Sequence, residues 1–292
     1  MKIPLDLVHT LDAIVTGGSL DAAASSLQVS PSAVSQRLKA LETQVGRVLL
    51  VRAKPVRATP AGQAVLRLAR QLRAAEQDAL IALGVAADGP VEVPLAVNAD
   101  SLATWFLPAL APLAGEIMFD LHRDDQNYTA GLLESGTVTA AVTSQARPVA
   151  GCAVRPLGAM RYLATAAPGF VATWFADGIT PAAFSRAPLV DFDRRDDLQS
   201  RHLAALRVEP DAPPRHHVPA SNDFATAVLL GMGWALIPEH QARGSIADGR
   251  LVALGGPPLD VQLYWQRWKL ESALLARIEA AVVSEARATL RQ

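Results

Sequence analysis

Between residues 30 and 45, side chains able to hydrogen-bond a base edge recur along one side of a helical repeat. Ser32, Gln36, Lys39 and Thr43 stand roughly opposite an apolar stripe of Val34, Leu38, Leu41 and Val45. A side-chain amide can pair with adenine, and an ammonium can reach guanine or a phosphate, so this face suits a major groove. Ser30 caps the helix, and Pro31 takes the first position, where its missing N–H costs nothing. Just before it, Ser19 caps a shorter helix with Leu20, Ala23, Ala24 and Leu27 at i, i+3, i+4 and i+7. Only Gln28-Val29 breaks the pair, and the small alanines allow the close approach of a helix-turn-helix. An ordinary αα-hairpin with a solvated polar face is the alternative.

A second set of polar residues sits at the ends of apolar runs. Asn98, Ser101 and Thr104 lie between VEVPLAV (91–97) and the helical stretch SLATWFLPALAPLA (101–114). Free N–H groups and the positive end of a helix dipole favour an anion there, such as a carboxylate. The competing role is a helix cap that serves folding only, and Ser101 can do both. Asp124 and Asp125 follow the run IMFDLH, Thr143 closes VTAAVT, and Asp193 and Asp196 follow APLVDF. Acidic loops facing one cleft suit a cation such as the ammonium of lysine or the guanidinium of arginine. Charged loops are also commonly just solvated, and Arg194 and Arg195 can neutralise their neighbours.

These groups need elements to position them. Val65, Leu68, Leu72, Ala75, Ala79 and Ala82 follow a heptad seam in a helix opened by Thr59 and Pro60 and running to about residue 83. Such a seam can pair two chains; a helix packed on its own domain is the alternative. AADGP then marks a hinge. Beyond it, strands and helices alternate, which predicts mostly parallel sheets covered by helices. Two such sheets joined by crossing segments, at 160–166 and 263–268, make the bilobal fold of periplasmic binding proteins. The lobes are then 91–161 plus 266–292, and 162–265, with a ligand between them outside the strand carboxyl ends.

The 292-residue chain has a net charge of −1, yet residues 1–73 hold ten Lys/Arg against four acids. A basic head on an acidic body suits a polyanion-binding module joined to one with another task. Cys152 is the only cysteine, which excludes an internal disulfide, and its apolar setting reads as a buried small hydrophobe. His216 and His217 are strand neighbours pointing to opposite faces, so they do not share a metal. Trp265 and Trp268 read as core. No signal peptide or membrane-span pattern is visible, so a cytoplasmic protein is expected. No nucleophile elbow, phosphate loop or zincin motif is present, so neither an enzyme nor a cofactor is expected.

Residues 5–83 resemble the DNA-binding region of the LysR-type transcriptional regulators, in the order GSLDAAASSL, SPSAVSQRLKALE, wing, then VRAKPVRATPAG with its T-x-x-G. Leu49-Leu50-Val51 stand where the family usually has an aromatic residue before the wing arginine. The resemblance implies that Ser35 and Arg37 also lie at the DNA, and that Arg52 and Arg57 in the wing contact phosphates. It implies a winged helix-turn-helix over 1–59, a dimerisation helix and hinge over 60–87, and an effector-binding domain over 88–292. NADSLATWF, RPVAGCAVRPLGAMRYL, GMGWALIPE and YWQRWKLES further resemble the LysG/ArgP subgroup. That likeness implies lysine, arginine or histidine as effector, control of an amino-acid exporter gene, a homodimer or tetramer, and contact with RNA polymerase.

Overall fold

Capping side chains open the N-terminal helices where their spacing predicts. The computed structural model describes residues 3–51, 53–83, 91–123 and 129–292; Arg52, the hinge at 84–90, Asp124 and Asp125 lie outside them. Helix α1 (Leu5–Gly17) stops at Gly18, whose left-handed φ of 69° suits glycine. Ser19 Oγ accepts the Ala22 N–H to open α2 (Leu20–Ser26). Ser30 Oγ accepts the Ala33 N–H to open α3 (Pro31–Val45). The short β1 (Leu50–Val51) and β2 (Arg57–Ala58) pair antiparallel as a wing. The Thr59-x-x-Gly62 motif has a physical basis. Thr59 Oγ1 donates to Val48 O and accepts the Gly62 N–H, while a Cβ at Gly62 would overlap the Leu49 carbonyl.

Helix α4 (Pro60–Ala82) closes this unit. Its Val65, Leu66 and Ala69 are buried in one core with Val8, Leu11, Ile14, Val34 and Leu41. Val65 therefore faces its own domain rather than the expected seam, because α4 turns that edge onto α1. Leu68, Ala75 and Ala79 are exposed and Leu72 is half-buried; the Ala82 side chain lies outside the described residues. Asp12, 1 % exposed, accepts from Arg70 Nε at 3.3 Å and from Arg73 Nη2, pinning α1 to α4. Asp12→Ala is expected to cost roughly 1–3 kcal/mol, below a fully buried pair because both arginines regain water. A chemical-denaturation midpoint unchanged from wild type would refute that cost.

The C-terminal part begins with β3 (Val91–Val97) and α5 (Ala99–Ser101), continued by a π-helical stretch (Leu102–Phe106), α6 (Leu107–Leu110) and a 3-10 turn (Ala111–Leu113). Strand β4 (Ile117–Arg123), α7 (Thr129–Glu134) and β5 (Ala140–Thr143) follow, with β3 parallel to both β4 and β5. The long β6 (Cys152–Ala166) leads into α8 (Pro168–Trp174), α9 (Pro181–Phe184), β7 (Leu189–Asp191), α10 (Leu198–Ala205) and β8 (Arg215–His217). Then come α11 (Ser221–Leu229), β9 (Ala235–Pro238), α12 (Glu239–Ala247), β10 (Val252–Ala253), β11 (Leu259–Trp268) and α13 (Ala273–Thr289).

The crossing segments are longer than expected, and the two lobes share one sheet. Strands β6 and β11 run antiparallel, paired from Cys152 to Tyr162, in the order β10-β6-β11-β5-β3-β4, with β9 also on β6. Pro156 and Gly158 hide the length of β6 in the sequence. They mark a register shift opposite Leu263/Tyr264, where Gly158 takes φ 120°. On β11, Trp265, Gln266 and Trp268 are all buried. Gln266 Oε1 accepts the Val149 N–H, and Nε2 donates to Gln145 O and Arg147 O, which satisfies its amide and fixes the loop after β5. Trp265 and Trp268 fill core, as read from the sequence.

Candidate functional site

The polar face of α3 is open to solvent. Ser32, Ser35, Gln36, Lys39 and Thr43 are exposed, Arg37 is half-buried, and Arg57 is exposed on β2 of the wing. Val34 and Leu41 hold the opposite face in the core, so the exposed row is presented by a helix that cannot roll.

A cavity of about 290 Å³ lies between the lobes. Asn98, Ala99 and Asp100, after β3, and Arg123, at the end of β4, form the first wall. Phe192, Asp193, Arg195 and Asp196, after β7, form the second, with Leu198, Pro219, Phe224 and Leu236. Two hydrogen bonds among the described residues span the cleft. The Ser221 hydroxyl donates to Asp100 Oδ1 at 2.7 Å, and Arg123 Nη1 donates to Pro219 O at 3.2 Å. Asp100 Oδ2 also accepts from Tyr162 of β6 at 2.7 Å.

The carboxylates differ in state. Burial pushes the Asp196 carboxyl up to about 6, against the N–H groups of Phe192 and Leu198, with Asp191 and Asp100 adding repulsion. Burial also raises Asp193, but backbone and side-chain hydrogen bonds from Arg195 outweigh it and hold that carboxyl low. Asn98 is 4 % exposed, lines the cavity, and has no hydrogen-bond partner at Oδ1. An orphaned acceptor in a polar cavity is a place for a ligand N–H.

Of the expected effector residues, the structure brings Asn98, Asp193 and Asp196 to this cavity. Ser101 is buried with an unpartnered Oγ and is not in the wall. Thr143 is buried and accepts the Gln145 N–H. Thr104 faces a different cavity, because its hydroxyl bonds back to Asp100 O at 2.6 Å within the π-helical turn. Asp100 and Arg123 are not among the effector residues expected from the sequence, and Arg195, expected only as a neutralising neighbour, does pair with Asp193 at 3.1 Å. Arg123 was legible as the last residue of an apolar run, and Asp100 as the acid between two residues already chosen.

Other constellations are inert. His216 and His217 are exposed on β8, and the described residues contain no group of three His, Cys, Asp or Glu able to hold a metal. Cys152 is buried, and burial pushes its thiol up to about 11, so it stays a protonated small hydrophobe. No helix among the described residues is long and apolar enough to cross a membrane.

Residues 5–63 match the bacterial regulatory helix-turn-helix family of the lysR type, and residues 92–287 match the LysR substrate-binding domain. The chain is a LysR-type transcriptional regulator. It is 42 % identical over 296 residues, covering 99 % of both chains, to the lysine export transcriptional regulatory protein LysG of Corynebacterium glutamicum. The crystal structure of ArgP from Mycobacterium tuberculosis matches with a TM-score of 0.89 and 44 % identity, covering 98 % of each chain. Full-length LysG from Corynebacterium glutamicum with bound effector Arg matches at 0.80 and 38 %, covering 99 % of this regulator and all of that chain. As a regulator of this type, the protein joins a DNA-binding head to a bilobal ligand-sensing body, as its sequence predicts.

Proposed function

We propose that this regulator senses a basic amino acid, arginine or lysine foremost, and controls an amino-acid exporter gene. The observation that carries this reading is the interlobe cavity, where guanidinium and carboxylate groups line one space. An amino acid needs a cation for its carboxylate and acceptors for its ammonium. A basic side chain needs a further carboxylate. In this reading Arg123 holds the ligand carboxylate, Asn98 and Asp100 accept the α-ammonium, and Asp193 and Asp196 receive the side-chain cation. The bound Arg of the Corynebacterium glutamicum LysG structure, and the export function in that relative's name, support the ligand class and target.

Calorimetry on the full chain tests it: arginine, lysine or histidine should give saturable heat, and citrulline, the neutral isostere of arginine, much less. No heat with any basic amino acid would refute the reading. The pH dependence has a defined sign. An unfolded aspartate titrates at about 4. Protonated Asp196 therefore stabilises the empty protein below that pH, and this contribution is lost as pH rises through about 6. A bound cation prefers the carboxylate, so arginine affinity should rise about tenfold from pH 5 to pH 7, with proton release. Asp196→Asn should flatten that profile, and an unchanged slope in the variant would remove Asp196 from the site.

In the same reading the protein acts in the cytoplasm as a homodimer or tetramer, and effector binding alters its contact with RNA polymerase. The exposed Leu68, Ala75 and Ala79, with half-buried Leu72, form the face of α4 that pairs two chains. Leu68→Asp with Leu72→Asp should leave a monomer at micromolar concentration in light scattering, because pairing would bury unpaired charge. A wild-type chain that is itself monomeric there would remove the dimer.

A further inference from the structure

A second cavity, of about 240 Å³, lies across the lobe junction and is lined by N–H donors in excess of acceptors. The first lobe contributes Trp105 and the C-terminal Arg291, strand β6 contributes Arg161, and the second lobe contributes Glu239, His240 and Arg243. Arg161 commits Nε and Nη2 to Asp260, both at 2.8 Å. Arg291 reaches both oxygens of Glu239 from one nitrogen, Nη2, at 3.1 and 2.8 Å. Arg243 stands 3.7 Å from Glu239, beyond hydrogen-bond length. Each guanidinium carries five N–H donors, so Arg161, Arg243 and Arg291 all keep donor capacity. Trp105 is 1 % exposed, and its Nε1 has no partner.

The two acceptors are already engaged. Hydrogen bonds from Arg291 hold the Glu239 carboxyl low, and those from Arg161 do the same for Asp260, so both are ionised and offer no proton of their own. Three guanidiniums against two carboxylates leave the side chains with a net positive charge, before any charge on His240. A polar cavity with surplus guanidinium donors suits an oxyanion, which accepts from several N–H groups at once. At about 30 Å³ per water, the space holds several waters, enough for an inorganic phosphate or a four-carbon dicarboxylate.

We propose that this cavity is a second ligand site, taking a small oxyanion with two or more negative charges, and that its occupancy raises affinity at the effector cavity. The coupling follows from shared walls. The segment after β3 places Asp100 in the effector cavity and Thr104 in the second, one helical turn on, joined by the bond from Thr104 Oγ1 to Asp100 O. Strand β9 likewise gives Leu236 to one and Pro238 to the other. The C-terminal strap completes the frame. Arg291 and Ala159 exchange backbone hydrogen bonds of 2.9 and 2.7 Å, which ties the end of the first lobe to the crossing strand, while the Arg291 side chain holds Glu239 of the second. An anion bridging Arg243 to Arg291 or Arg161 favours the lobe arrangement in which Asp100 meets Ser221.

The test titrates the full chain by calorimetry with succinate and, separately, inorganic phosphate, at constant ionic strength set with sodium chloride. Acetate serves as the monoanion control. One of the two dianions should bind saturably with one-site stoichiometry, and which one does identifies the ligand source. Arg243→Ala, a surface change, should weaken it at least tenfold with an unchanged melting midpoint, and Arg243→Lys should restore part of the loss. Saturating dianion should tighten arginine binding about three- to tenfold, and arginine should tighten the dianion by the same factor, as linkage requires. No saturable heat with either dianion, or equal binding by acetate or by Arg243→Ala, would overturn the site. Dianion binding that leaves arginine affinity unchanged would overturn the coupling.

Discussion

Replacing Gln36 and Lys39 together by alanine is expected to lower operator affinity by about 100-fold and to flatten the preference among sequences. Each good base contact in the major groove contributes roughly 1–3 kcal/mol of discrimination, so losing two suffices. Both side chains are exposed on α3, opposite the buried Val34 and Leu41, so their removal leaves the fold of the head intact. Arg57→Ala on the wing should behave differently. It should weaken all sequences alike and reduce the slope of log affinity against log salt by about 1, the signature of one lost phosphate contact. A double variant that kept the wild-type footprint and its sequence preference would show that α3 does not read bases.

The second large effect belongs to the effector cavity. Arg123→Ala should weaken arginine, lysine and citrulline alike, by roughly 30-fold or more, because truncating one partner of a desolvated charge pair costs about 2–5 kcal/mol. It also removes the 3.2 Å bond to Pro219 that spans the lobes. Asp196→Asn keeps the shape and should discriminate. Arginine and lysine should lose about 30-fold, while citrulline should change less than about threefold, since no cation then meets the carboxylate. Equal losses for charged and neutral ligands in Asp196→Asn would sink this model of specificity, while leaving the position of Arg123 in the cavity untouched. The ligand can move the lobes only through its different affinity for their open and closed arrangements.

Local chemistry made the N-terminal unit legible from residue order alone. Ser19, Ser30, Pro31 and Gly18 act within a few residues of where they stand, so caps, stops and the stripe on α3 needed no tertiary information. The alternation of strands and helices predicted the parallel pairs β3–β4, β3–β5 and β7–β8, because a β-strand and the helix after it are coupled at short range. It did not predict that β6 pairs antiparallel with β9, β10 and β11, and β11 with β5, so the large sheet is mixed rather than mostly parallel. Helix α4 is where local information ends. A heptad pattern cannot say which of its positions is taken by the chain's own core, and α1 took Val65.

The cavity shows the same boundary more sharply. Asn98, Asp193 and Asp196 could be proposed because strand carboxyl ends gather at one edge of a parallel sheet. Thr104 could not be placed, since its spacing fits the same helix start but a π-helical turn and a bond to Asp100 O carry it to the second cavity. Two side-chain partners of Asp100, Tyr162 and Ser221, are 62 and 121 residues away. Arg291 finds Glu239 across 52 residues and Ala159 across the crossing strand. Contacts at such separations exist only once β6 and β11 have brought the lobes together. Residue order alone carried the caps, the exposed polar face of α3, most strand carboxyl ends and the family. Which charged side chains share a cavity depends on the lobe crossing and not on spacing along the chain, so it emerges only in the folded molecule.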